Sequence, residues 1–176
     1  MKIDVILVNE KDEQIGLCEK MEAHKKGLLH RAFSVFVFNS KWELLLQRRA
    51  LEKYHSWGLW TNTVCSHPKD WENLVEWIKV RMIEEMWFKT VVEEVFSFLY
   101  KSDYEDWMIE NEYDHVFIWM YDKNPEPNLD EVMDFTWKDI EEIKNDIKIN
   151  GEKYTSWFKI ILENEEFLEK INKIKK

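Results

Sequence analysis

Two apolar runs, "RAFSVFVFN" at 31–39 and "ELLLQRR" at 43–49, are separated by only "SKW". Three residues between strand-like runs leave room for a tight hairpin and little else, so the chain commits early to an antiparallel pair. Further strand-like runs are "DVILVN" (4–9), "KTVVEEVFSFLYKS" (89–102), "ENEYDHVFIWMYD" (110–122) and "EVMDFTWKD" (131–139), while "EKDEQIG" (10–16) reads as a polar turn. In "ENLVEWIKVRMIEEM" (72–86), Val75, Ile78, Met82 and Met86 recur three or four apart, the stripe of an amphipathic helix. A helix is expected from about Asp139, and "TSWFKIILENEEFLEKINKIKK" (155–176) reads as a C-terminal helix whose basic end suits its dipole. Strands mixed with two or three helices predict an α/β or α+β chain with a mixed sheet.

No repeat, low-complexity tract or long linker divides the 176 residues, so a single domain is expected over 1–176. A net charge of −10 argues against a nucleic-acid partner, because a basic face does not survive that background. The opening "MKIDVILVNEKDEQ" turns charged after an apolar run too short for secretion or membrane insertion. With two cysteines, Cys18 and Cys65, a cytoplasmic chain without a structural disulfide is expected.

His24 and His30 precede the second strand, and His67 follows Cys65 by two residues. Glu110 and Glu112 are also two apart, so one strand can point both carboxylates at one site. Three imidazoles and two carboxylates suit Mg²⁺, Mn²⁺ or Zn²⁺, but surface histidine is the default reading of each. Arg81, Glu84 and Glu85 have the spacing of an ordinary solvated salt-bridge face. Lys20, Arg49 and Lys53 read as surface charges, Tyr100 and Trp157 as core aromatics. Cys65 alone is compatible with a nucleophile, a metal ligand, an acid or a buried filler.

In order, these residues resemble type 1 isopentenyl-diphosphate isomerases of the Nudix superfamily. The resemblance spans about residues 4–162 and rests most specifically on "WTNTVCSHP" (60–68) and "ENEYDH" (110–115). "HRAFSVFVFN", "LLLQRRALEKYHS" and "DEVMDFTW" support it. It implies a Nudix-like α/β/α sandwich, a small-molecule diphosphate substrate, a monomer, and a place in isoprenoid biosynthesis. By resemblance, His24, His30, His67, Glu110 and Glu112 hold one divalent metal, whether Mn²⁺, Mg²⁺ or Zn²⁺. Cys65 and Glu112 form the acid–base pair, Tyr100 supports the carboxylate, and Trp157 lies over the developing positive charge. Lys20, Arg49, Lys53 and Arg81 grip the diphosphate, whose Mg²⁺ is bridged by Glu85.

Moving the double bond of isopentenyl diphosphate to give dimethylallyl diphosphate adds one proton and removes another. Two groups flanking the alkene meet that need. An indole face stabilises a cation by about 2 kcal/mol when desolvated. The superfamily's hydrolase box carries Arg-Glu, two spacers and Glu-Glu, whereas "VRMIEE" (80–85) places Val80 and Arg81 at the first two positions. An arginine there favours holding diphosphate over assembling metals to cleave it, which places a diphosphohydrolase second.

The resemblance also exposes departures. There are 4 glycines and 10 tryptophans, against about 12 glycines at average usage. Trp42, Trp57, Trp71, Trp77, Trp87, Trp107 and Trp119 stand where this family commonly has glycine or another small residue. At turns such replacements cost about 1 kcal/mol each through positive φ. Trp57, Trp71 and Trp107 lie near loops expected to frame the pocket, so a folded but catalytically impaired variant is a third reading.

Overall fold

The computed structural model describes residues 3–53, 55–70, 73–88, 92–103 and 108–175. The hairpin of β3 (His30–Phe38) and β4 (Glu43–Arg49) forms where the spacing predicts it. Its turn is fastened by Asn39, whose Oδ1 accepts from the N–H groups of Lys41 and Glu43, both at 3.0 Å. β1 (Asp4–Val8) pairs with β2 (Gln14–Glu19). Only polar turn had been expected up to residue 16, because β2 is a half-exposed edge strand without strong alternation. Short strands β5 (Trp60–Thr61) and β6 (Val64–Ser66), β7 (Glu93–Asp103), β8 (Ile109–Met120) and β9 (Val132–Asp139) complete the strands.

The hairpin strands pair at Phe38↔Leu44 and then splay apart. β6 enters the gap against β3, from Phe33↔Ser66 to Val35↔Val64. Thr63 bridges the splay: its Oγ1 accepts from Val37 N–H at 3.0 Å and donates to Leu45 O at 2.7 Å. Along its other edge β3 runs parallel to β8, from His30↔Glu112 to Phe38↔Met120, and β7 pairs antiparallel with β8. The sheet is therefore mixed, as expected.

Alternation along β3 divides the core. Phe36 and Phe38 pack with Phe158, Ile161, Phe167 and Ile171 on one face. Phe33, Val35 and Val37 pack with Ile78, Met82 and Met86 on the other. The first layer comprises α3 (Ile140–Asn150), α4 (Ser156–Glu163) and α5 (Glu165–Ile174); the second is α2 (Leu74–Met86). The result is an α/β/α sandwich. The continuous C-terminal helix expected from the sequence is interrupted at Asn164, which leaves helical geometry at ψ 120° and caps α5 by accepting from Phe167 N–H at 3.1 Å. α1 (Lys20–Lys26) was also unexpected, because it buries only Ala23 and His24. No helix among the described residues is long and apolar enough to cross a membrane.

Candidate active site

Strand register brings the polar residues together. Glu110, Glu112 and Asp114 share a face of β8 with Val116 and Ile118, which continue into the core. Glu112 has His30 as its partner on β3 and Tyr100 as its partner on β7. Cys65 lies opposite Ser34, four residues further along β3. Short helix α1 brings His24 within 4.7 Å of His30, measured between ring centroids.

Donor atoms of His24, His30, His67 and Glu112 all lie within 4.8 Å of one another. His24 Nδ1 is 2.6 Å from Lys20 O, and His30 Nδ1 is 2.8 Å from Leu28 O. A carbonyl only accepts, so each Nδ1 carries a proton and each Nε2 is the nitrogen turned toward the cluster. His67 Nε2 sits 3.2 Å from His30 Nε2 and 2.9 Å from Glu112 Oε1. Burial, reinforced by nearby positive groups, pushes His24 down to about 4 and His67 down to about 3, so both are neutral. Burial alone would raise the Glu112 carboxyl, but His30 and His67 outweigh it and hold the group well below the usual range. Neutral imidazoles and an ionised carboxylate, with two tautomers fixed by backbone carbonyls, are a donor set that fits a divalent metal.

Glu110 stands outside this group of four. β3 begins at His30, opposite Glu112, so no β3 residue flanks Glu110. Its Oε2 lies 3.2 Å from the Tyr100 hydroxyl oxygen, and its Oε1 is 3.7 Å from His55 Nε2. The same hydroxyl donates to Glu112 Oε2 at 2.5 Å.

A cavity of about 710 Å³ adjoins the cluster, and Cys65, Tyr100, Glu112 and Trp157 all line it. Burial pushes the Cys65 thiol up to about 12, against the opposing pull of Arg49, whose Nη1 is 4.0 Å from Sγ. The indole of Trp157 is held by Asn62, whose Oδ1 accepts from Nε1 at 3.1 Å. Asn62 is itself fixed by donating to Val64 O at 2.9 Å. The Trp157 ring already faces a cation, with Arg49 Cζ 5.4 Å from its centroid.

Lys20, Arg49, Lys53 and Arg81 line the same cavity. Burial, then Arg49, brings Lys20 down to about 8. Arg81 donates to Glu84 Oε2 at 2.7 Å and to Glu85 Oε1 at 2.6 Å. Glu85 is buried, and its Oε2 accepts from Gln47 Nε2 at 3.0 Å. Each carboxylate oxygen keeps a second lone pair after one such bond, so Glu85 retains capacity for a cation.

The structure adds residues to which the sequence reading had given no role: Asn62, Gln47, His55 and Glu131. Asn62 falls inside "WTNTVCSHP", Gln47 and His55 inside "LLLQRRALEKYHS" and Glu131 inside "DEVMDFTW", and only their contacts reveal their roles. Among the tryptophans, Trp42 and Trp87 adopt left-handed φ of 63° and 55°. Trp77 lines the cavity and donates its Nε1–H to His67 O at 3.0 Å. Trp119 packs, half-buried, against the core layer of α2. Trp57 does not obstruct the cavity; it is 62% exposed. Trp71 and Trp107 lie outside the described residues.

A NUDIX domain matches residues 28–158. The isopentenyl-diphosphate Delta-isomerase 2 of Photorhabdus laumondii is 47% identical over 158 residues, 90% of this chain and 89% of that protein. The chain belongs to the isopentenyl-diphosphate Delta-isomerase family of NUDIX-domain proteins. A second member, isopentenyl-diphosphate Delta-isomerase 2 of Aromatoleum aromaticum, is 44% identical over 93% of this chain and 86% of its own length. The fold extends to remoter proteins: a crystal structure from Deinococcus radiodurans superposes with a TM-score of 0.70 at 19% identity, covering 84% of this chain and 90% of that one.

Proposed function

We propose that this chain interconverts isopentenyl diphosphate and dimethylallyl diphosphate, protonating one alkene carbon and deprotonating another. The observation that carries the reading is the cluster of His24, His30, His67 and Glu112 beside a cavity that His67, Glu112 and Cys65 line together with Lys20, Arg49, Lys53 and Arg81. Family membership at 44–47% identity supports the reaction itself.

In this reading Cys65 and Glu112 exchange the two protons, one giving and the other taking. The Tyr100 hydroxyl fixes the direction of the Glu112 carboxyl through Oε2, leaving Oε1 toward His67. Trp157, oriented by Asn62, offers its π face to the tertiary cation-like state. Lys20, Arg49, Lys53 and Arg81 bind the diphosphate and so hold the alkene between the proton-transfer groups. His24, His30, His67 and Glu112, with Glu110 next to them, would hold a divalent ion, whose positive charge would set the proton affinity of the Glu112 carboxyl. Mg²⁺, Mn²⁺ or Zn²⁺ suits that donor set, and Glu85 is the residue for the Mg²⁺ that accompanies diphosphate. The free thiols Cys18 and Cys65 suit a reducing cytoplasm.

The test is incubation of purified protein with isopentenyl diphosphate, followed by proton NMR of the alkene before and after exhaustive chelation. The expected result is a vinyl-methylene signal replaced by an allylic one, lost on chelation and restored by added metal. Release of inorganic phosphate without isomerisation would instead assign a hydrolase, and undiminished turnover without metal would remove the His/Glu centre from the mechanism.

A further inference from the structure

A carboxylate sits among the cations assigned to the substrate. Glu131, immediately before β9, lines the cavity and is ion-paired with the ammonium of Lys53 through Oε2. Its Oε1 lies 3.3 Å from Arg81 Nη2. Backbone bonds fix its position: Glu131 N–H donates to Asn128 O at 2.9 Å, and Glu131 O accepts from Ala50 N–H at 3.0 Å. The Glu131 backbone is thereby tethered to Ala50, just past the end of β4, beside the basic loop that carries Lys53.

A carboxylate held between two anion-binding cations either braces them or competes with their ligand. Arg81 is already braced from its own helix by Glu84 at 2.7 Å and Glu85 at 2.6 Å, so its direction needs no third carboxylate. Glu131 approaches at the longer distance and is 26% exposed, against 2% for Glu85. Exposed carboxylates exchange partners more readily than buried ones, because water can replace the lost contact.

From this we infer that Glu131 is a specificity-determining residue. Its carboxylate, paired with Lys53 and Arg81, occupies part of the diphosphate subsite and must be displaced by the ligand. The inference rests on the reading that Lys20, Arg49, Lys53 and Arg81 bind diphosphate. A diphosphate brings more charge and more acceptor oxygens than a monophosphate, so it displaces the carboxylate with affinity to spare. A monophosphate gains little over the contact that it breaks. Selection by an internal competitor is discrimination against the weaker ligand rather than extra attraction for the stronger one.

The test is calorimetric titration of wild type, Glu131→Gln and Glu131→Asp with inorganic pyrophosphate and inorganic phosphate in the presence of Mg²⁺. Glu131→Gln removes the charge and keeps the shape. It is expected to bind pyrophosphate about three- to tenfold more tightly and phosphate by a larger factor, narrowing the ratio between the two. Glu131→Asp, too short to reach both cations, is expected to change in the same direction by less. Unchanged or weaker pyrophosphate binding in both variants would overturn the inference and make Glu131 a brace. Arg49→Leu serves as the control: if wild type does not bind pyrophosphate, or Arg49→Leu binds it equally well, the diphosphate reading itself fails.

Discussion

The Tyr100 hydroxyl donates to Glu112 Oε2 at 2.5 Å, from the position directly across the antiparallel ladder of β7 and β8. Tyr100→Phe removes this donor and also the 3.2 Å contact with Glu110. It leaves the buried Glu112 carboxylate short of a partner, at a cost of about 1–3 kcal/mol. Turnover is expected to fall about 10–100-fold, as for other groups that orient metal ligands. Steady-state kinetics beside urea unfolding checks both numbers, and normal kcat in a destabilised variant would reduce Tyr100 to a structural residue.

Cys65→Ala and Glu112→Gln separate chemistry from folding. Each is expected to lower isomerisation at least about 10³-fold, a proton-transfer contribution within the ordinary range. Cys65 is only half-buried at the cavity wall, so its truncation leaves the two core layers intact. For Cys65→Ala, circular dichroism and the unfolding midpoint are expected to stay close to wild type. Near-normal turnover in either variant counts against the acid–base pair.

Stability of the metal-free protein is expected to decline on mild acidification. Unfolded imidazoles titrate near 6.5, whereas burial holds His24 down to about 4, His67 to about 3 and His55 to about 2. Below about pH 6.5 the unfolded chain therefore binds more protons than the folded one. Each such imidazole steepens the loss by about 1 kcal/mol per pH unit as the pH falls toward 4. Chemical denaturation at pH 7.5, 6, 5 and 4.5 in the presence of chelator measures it. A flat profile over that interval contradicts burial of neutral histidines.

Trp42 and Trp87 carry left-handed backbone, at φ 63° and 55°. Trp87 caps α2 through its N–H to Ile83 O at 3.1 Å while its ring is 67% exposed. Trp87→Gly is expected to keep that bond and stabilise the protein by about 1 kcal/mol. Trp42→Gly gains less, because its ring packs 5.6 Å from Phe38. The urea midpoints of both variants decide the matter, and a lower midpoint for Trp87→Gly shows that its exposed ring contributes more than its backbone costs.

The hairpin, α2 and the long strands β7 and β8 were legible in the sequence because their apolar periods are strong. Of the predicted helical stripe, Ile78, Met82 and Met86 are fully buried and Val75 is half-buried. Strand β2 and helix α1 were not, because each buries little and depends on neighbours for its shape. The candidate site was legible through motif resemblance, not through spacing: His24, His30, His67 and Glu112 occupy four separate elements or loops. Their meeting depends on β3 lying parallel to β8 in one register, a long-range fact that no local pattern encodes. Glu131 and Asn62 went unassigned for the same reason, since what matters in each is the partner across space.

That register has a hereditary consequence. Glu112 is paired with His30 across one ladder and with Tyr100 across the other, so a single-residue insertion in β8 would rotate Tyr113 and His115 toward the cavity and turn the carboxylates away. Descendants of this chain are thus free to vary length in their loops, while the central strand must be copied without gain or loss of a residue.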